Sequence, residues 1–388
     1  AGVLNWTKGE TKTFKEIVNI NTPNKRSVSL TSNEYVTENL GNLGGTQLTI
    51  YGNDKNITGN NVDGIYVGNG KILDIENVNN YNGFNSTYGA IKNEGTLNIS
   101  GTNFSNNSGQ DIINNGVLNL INSNSSFSKG ITGTGTINIK NCLLNNATIK
   151  QFNILITSSG TLNSNANNID SNIINNGTLL FNGGTNNNTI TGTGLTQIYN
   201  DVSNQANITQ NILEISANKQ LTNLTATITV KESLIINDTA KIINDGKLII
   251  SSGTNNGIIE QNSNTSEMSI DKNLINNGTI NQNTIRINNK LTNNAEITAD
   301  NIYINGTFKL GENGNFYNVT NSIINDDSTI DISNGKIKNH NFNNLTINSG
   351  KVNLLVDADL MNKQMDTISA TNFSGNGNIY IKAINLLS

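Results

Sequence analysis

Apolar residues recur along the chain as short alternating runs, each opened by a glycine. The segments IKNEGTLNI (91–99), IINNGVLNL (112–120), IINNGTLLF (173–181), IINDGKLII (242–250) and LINNGTINQ (274–282) share one plan. Two polar residues, usually Asn, precede the glycine, and apolar side chains follow two and usually four places after it. Leu97 and Ile99 follow Gly95 in this way, Leu118 and Leu120 follow Gly116, and Ile137 and Ile139 follow Gly135. A period of two is the signature of a strand with one face buried. Most of these runs have no amphipathic helix of useful length between them, which excludes βαβ crossover units.

The glycines Gly95, Gly116 and Gly135 are spaced by about 20 residues, and Gly177, Gly246 and Gly278 continue the pattern with less even loops. Short strands at that period predict an all-β, right-handed parallel β-helix, because one coil cannot bury its apolar residues until the next stacks on it. At about 20 residues per coil the chain makes roughly 19 coils. With strands about 4.8 Å apart, the rod is on the order of 90 Å long. The Asn pairs, typified by Asn114 and Asn115, read as corner residues that tolerate positive φ and hydrogen-bond to nearby backbone. Gly116 follows for the same reason. Asn at equivalent corners, such as Asn175 and Asn176, is expected to stack into hydrogen-bonded ladders.

Three regions are expected: an N-terminal cap with the first coils (1–43), the β-helix repeats (44–349) and a closing segment (350–388). In TFKEIVNIN (13–21), Thr13 and Glu16 have capping-box spacing, so a short helix closing the first coil is predicted, with another strand as the alternative.

Composition narrows the function. Hydrophobic residues make up 34% and charged residues 13% of the 388, which suits neither a dense globular core nor charge-driven disorder. The net charge of −4, with Arg only at Arg26 and Arg286, offers no basic face for nucleic acid or anionic lipid. Cys142 has no intrachain partner and reads as a buried structural residue. No apolar run has the length of a membrane-spanning helix. A start at Ala1 without Met is compatible with a mature product whose signal peptide has been removed.

GGTQLTIYGNDKNITGNNVDGIYVGNGKILDIENV (44–78) and YGAIKNEGTLNISGTNFSNNSGQDIINNGVLNL (88–120) resemble the passenger regions of bacterial autotransporters, and more narrowly the polymorphic outer membrane protein repeats with their GGAI and FxxN signatures. Gly89, Ala90 and Ile91 match GAI with Tyr88 in place of the first glycine, and Phe104 with Asn107 matches FxxN. GKVNLLVDADLMNKQMDTISATNFSGNGNIYIKAINLLS (350–388) resembles the segment that precedes the membrane barrel in that family, with Asp357, Asp359 and Asp366 at its acidic positions. The resemblance implies that this segment closes the rod and promotes folding during export. By spacing alone, Asp357 and Asp359 share a strand face, which equally describes a solvated edge. No run of barrel strands follows, so the chain reads as a passenger without its barrel.

Chemistry is sparse. Asp326, Asp327 and Asp331 with Arg286 are the candidates for a lyase-like cluster, although adjacent aspartates on a strand face opposite ways. His340, in KNHNFNN, matches no glycoside-hydrolase element and reads as a solvent-exposed turn residue. Calcium nonapeptides, zinc spacings, a P-loop and a nucleophile elbow are not found, so no cofactor is expected. The expected function is that of a non-catalytic adhesin, surface-exposed or secreted, contacting a host-cell or matrix protein, a glycan, or copies of itself. Nucleic acid is not an expected partner, and a membrane enters only through the missing barrel. The alternatives are a polysaccharide-active β-helix enzyme or a self-associating structural rod.

Overall fold

A computed structural model describes residues 3–7, 11–85, 88–315 and 318–387. The chain is an all-β parallel solenoid of about 17 turns over residues 5–355, with almost no helix. It divides into two compact units, Ala1–Gly194 and Leu195–Ser388.

In the first unit the alternating residues form columns, because each strand pairs in register with its counterpart one turn on. One column runs Leu48, Leu73, Leu97, Leu118, Ile137, Ile154, Ile173. A second runs Ile65, Ile91, Ile112, Ile131, Ile149, Ile169. Both are buried throughout. A separate five-stranded sheet carries an aromatic stack, in which Tyr81 lies 4.9 Å from Phe84 and 5.0 Å from Phe104, and Phe104 lies 5.1 Å from Phe127. The second unit repeats the plan with Ile208, Ile228, Leu248, Met268, Ile285 and Ile302 in file. The turn count is lower than the 19 expected because the solenoid takes up residues 5–355 rather than the whole chain; longer early turns, such as Leu48 to Leu73, are offset by shorter later ones, such as Met268 to Ile285.

The motif glycines are required for a different reason from the one expected. Gly95, Gly116, Gly135, Gly177, Gly246 and Gly278 do not have positive φ. Instead, a Cβ on Gly116 would fall inside 3.0 Å of the Gly95 carbonyl, and one on Gly135 inside 3.0 Å of the Gly116 carbonyl. Gly278 stands over Gly257 in the same way. Real Cβ atoms do not approach backbone so closely, so the turns can pack only where the side chain is missing. Asn does occupy positive φ, but elsewhere, at Asn53, Asn77, Asn122 and Asn218.

The Asn pair is likewise divided rather than forming one corner. Asn114 is fully buried and Asn115 faces outward. Asn93 donates to Asn114 at 2.8 Å, and Asn114 donates to the Gln151 side chain at 2.7 Å and to the Thr136 carbonyl at 3.0 Å. In the second unit Asn204, Asn223, Asn244 and Gln282 are linked at 3.0, 3.0 and 2.9 Å. Asn255, Asn276 and Asn293 are linked at 2.9 Å each. The expected ladders form on both sides: inside, each amide also bonds to backbone of its own or a neighbouring turn, and outside, Asn277 donates to Asn256 at 2.9 Å and Asn294 to Asn277 at 2.7 Å. Asn115 meanwhile accepts from the Thr134 amide at 3.1 Å.

The first turn carries helix α1 (Phe14–Asn19) with the expected capping box: Thr13 Oγ1 accepts from the Glu16 amide at 3.2 Å, and Glu16 accepts from the Thr13 amide at 3.4 Å. Phe14, Ile17 and Val18 are buried. Arg26, 1% exposed, donates to the carbonyls of Ile17 at 2.7 Å, Val18 at 3.1 Å and Gly44 at 2.7 Å. A guanidinium at the carboxyl end of a helix satisfies carbonyls that the helix itself leaves open.

Two stability outcomes follow. Asn114→Leu keeps the volume but strands its amide and carbonyl partners, and should lower the unfolding free energy by about 2–4 kcal/mol, against less than about 1 kcal/mol for Asn115→Leu. Arg26→Met should cost about 3 kcal/mol by exposing the helix-end carbonyls to an apolar pocket. Urea titration of each variant checks both, and equal costs at positions 114 and 115 would contradict the ladder account.

Candidate interaction surface

The acidic residues singled out from the sequence do not gather into a reaction centre. Asp326 accepts from the Lys351 amide at 2.8 Å, and Asp327, at φ 62, accepts from the Asn353 side chain at 3.2 Å. Asp331 accepts from the Ser333 amide at 3.0 Å and hydroxyl at 2.5 Å. Each serves a local turn or the neighbouring layer. Arg286 is engaged elsewhere: it bonds to Glu267 at 2.8 Å and lies 4.4 Å above the Tyr303 ring. Among the described residues no group of three or more His, Cys, Asp or Glu is placed to hold a metal ion.

The carboxylates near the C-terminal end differ sharply among themselves. Asp357 is fully buried, accepting from the Gly335 amide and the Asn385 side chain, both at 2.7 Å. Asp366, 2% exposed, accepts from the amides of Lys338 at 2.9 Å and Asp357 at 2.8 Å. Asp359 caps the adjoining turn through Asn362, at 3.2 Å to its amide and 2.7 Å to its side chain. Asp357 is therefore not part of a solvated edge. The chain doubles back after Asp359 as an antiparallel hairpin, and the two buried carboxylates hold that return in place by accepting backbone N–H groups. His340 is also buried rather than exposed, on the strand Asn339–Thr346. Burial and the Lys338 charge press its pKa down, against the opposite pull of Asp357.

Two further expectations change by strand phase. Cys142 is exposed, because Cys142–Asn145 alternates with Leu143 and Asn145 inward. Outward alternation also creates hydrogen-bonded columns on the surface: Asp74 accepts from Asn98 at 2.7 Å, Asn98 from Asn119 at 2.8 Å, and Asn119 from Asn138 at 2.8 Å.

The feature that sequence reasoning missed is Tyr35. On the strand Glu34–Val36, Val36 points in and Tyr35 points out, 69% exposed. A cleft of about 190 Å³ on one side is lined by Phe14, Lys15, Glu34, Glu38 and Leu40. A shallower one of about 290 Å³ on the other side reaches Thr58, Gly59 and Asn60. Helix α1 supplies the far wall of the first, so only the folded first turn assembles it. The sequence signal was weak: a lone Tyr in a three-residue strand.

Asp366 sets a pH response. Burial raises its pKa, hydrogen bonds from the Asp357 and Lys338 amides pull it down, and the Asp357 charge pushes it up; the net shift is upward. A carboxyl whose folded pKa exceeds its unfolded value opposes folding at higher pH, and that cost disappears as pH falls through the window between the two values. The unfolding free energy of the natural chain, measured against Asp366→Asn from neutrality to about pH 3.5, should therefore rise on acidification. A falling difference would mean that the amide hydrogen bonds outweigh burial.

Comparison with known protein families, curated proteins and solved structures finds no match to the chain.

Proposed function

We propose that the chain is a non-catalytic, adhesin-type passenger of a bacterial autotransporter, displayed at the cell surface or secreted, that binds host-cell, matrix or neighbouring-cell molecules. The observation that carries this reading is Tyr35, standing exposed between two clefts rimmed by hydroxyl, amide and carboxylate groups. An aromatic face beside hydrogen-bonding side chains suits stacking on a sugar ring or an extended peptide. On the larger sheet the outward amide columns add a weakly charged polar wall, which favours many modest contacts over one deep pocket.

A second reading, a polysaccharide-active enzyme, is favoured by one observation: Glu34 and Glu38 line the same cleft as Tyr35. Catalysis would place its acid and base there, not at Asp326 or Asp331.

Binding of the chain to an array of glycans and matrix proteins tests the two together. Tyr35→Ala should weaken the captured ligand by about tenfold or more while leaving the melting transition in place. Undiminished binding by Tyr35→Ala would overturn the assignment. Release of reducing ends from a polysaccharide, lost in Glu34→Gln or Glu38→Gln, would replace it with the enzymatic reading.

A further inference from the structure

Three corners of the solenoid are built around a buried glutamine. Gln151, Gln210 and Gln282 each donate through Nε2 to the carbonyl of the residue before, at 2.8, 3.0 and 2.8 Å. The residue that follows turns outward. At two of the corners it is Asn, tied to a carboxylate one turn on: Asn211 donates to Glu232 at 3.3 Å, and Asn283 to Asp300 at 3.0 Å. At the third it is Phe152, 63% exposed. The strand bulges there, because Lys150 pairs with Asp170 and Asn153 with Asn172, so that Gln151 and Phe152 stand opposite Ser171 alone. Asn makes the same corner elsewhere, so the turn itself does not require an exposed ring.

Phe152 forms one wall of a cleft of about 270 Å³, and the next two turns complete it with Asp170 and Asn172, then Asn187 and Thr189. These four residues are exposed, and among the described residues no group takes up their side-chain hydrogen bonds. The base of the cleft is fixed by Asn188, 7% exposed, which accepts from the Ser171 amide at 3.1 Å and donates to the Ile169 carbonyl at 2.8 Å. Its polar groups are therefore held in place before a ligand arrives. Asp170 is the one charged residue of the lining, and its register partner is Lys150, so the local charge is balanced and a charged ligand gains little. A neutral pyranose matches what remains. Its C–H face stacks on an aromatic ring, a carboxylate accepts from its hydroxyls, and side-chain amides both donate to them and accept. The volume lies just below the range of about 300–1,000 Å³ usual for ligand sites, which suits one sugar ring.

We infer that the Phe152 cleft is a binding site for a single neutral pyranose unit, stacked on Phe152 and hydrogen-bonded to Asp170 and the amides around it. The cleft shares no lining residue with the two beside Tyr35, and the inference stands independently of the Tyr35 reading.

Saturation-transfer NMR of the full chain with glucose, galactose, mannose and N-acetylglucosamine, each at up to about 50 mM, should show transfer to the ring C–H protons of at least one, with a dissociation constant of about 1–10 mM. Phe152→Ala and Asp170→Asn should each weaken that sugar by about tenfold or more with the melting transition kept, whereas Asn211→Ala, at a corner of the same build, should leave it within about twofold. Amide shifts of the natural chain give a second readout that needs no variant: the sugar should move those of 170–172 and 187–189. Absence of transfer to all four sugars, binding undiminished in both Phe152→Ala and Asp170→Asn, shifts confined to other residues such as 34–38, or binding of acetyl-lysine amide in place of every sugar would each overturn the inference.

Discussion

The structure depends on in-register parallel pairing between successive turns. When strand n sits directly on strand n−1, every residue meets its own counterpart from the turn before, and like stands on like. Leu97 on Leu73 and Leu118 on Leu97 is one result, and Phe127 beside Phe104 beside Tyr81 is another. The same constraint acts on what cannot be present. Wherever two turns approach closely, the upper one must lack a Cβ, and Gly95, Gly116 and Gly135 form a file for that reason. One rule thus selects large apolar side chains in some columns and none at all in another.

That rule also makes a polar interior workable. A buried amide is costly unless both its donors and its acceptor are matched. Stacking supplies a partner of the same kind at the right spacing, so Asn93 meets Asn114 and Asn255 meets Asn276, while the remaining N–H reaches backbone of the next turn through contacts such as Asn276 to the Glu296 carbonyl at 3.1 Å. A single Asn inside an apolar column would be a defect, whereas a run of them ties each turn to its neighbours in the direction of stacking.

Much of the fold was legible in the chain because the signal is repeated. Residues two and four places past each glycine are inward at Leu97, Ile99, Leu118 and Leu120, and the Thr13–Glu16 spacing is a capping box. Misreadings arose where a local property was assigned to a residue whose role is set one turn away. Asn114 has a turn-forming composition, yet its partners are at 93 and 151; Gly116 has a flexible backbone, yet the deciding atom is the Gly95 carbonyl. His340 read as exposed because its polar neighbours suggest a turn, yet it lies on the inward face of its strand two places before Phe342; Asp357, which spacing alone left open to a solvated edge, is buried where the chain doubles back after Asp359. Tyr35 could not be seen at all, since its cleft is completed by a helix some twenty residues earlier.

The solenoid also bears on where chemistry can reside. In a wall of stacked strands an outward carboxylate has amides and side-chain donors within reach from its own turn and the next, and Asp74, Asp326 and Asp331 are held in this way. Carboxylates so engaged serve structure, and the periodic wall offers few recesses in which several can converge. Departures from periodicity are what create recesses: α1 beside the strand Glu34–Val36, and the hairpin after Asp359 beside the turn at 333–338. The first opens to solvent beside the exposed Tyr35 ring, as a polar cleft of about 270 Å³ opens beside the exposed Phe152 ring where register shifts between Lys150 and Asn153, while the second is filled by Asp357, Asp366 and His340. Under the proposed binding role, recognition would fall where the repeat is interrupted and left open, whereas the interrupted but filled site near residue 357 holds its own turn together.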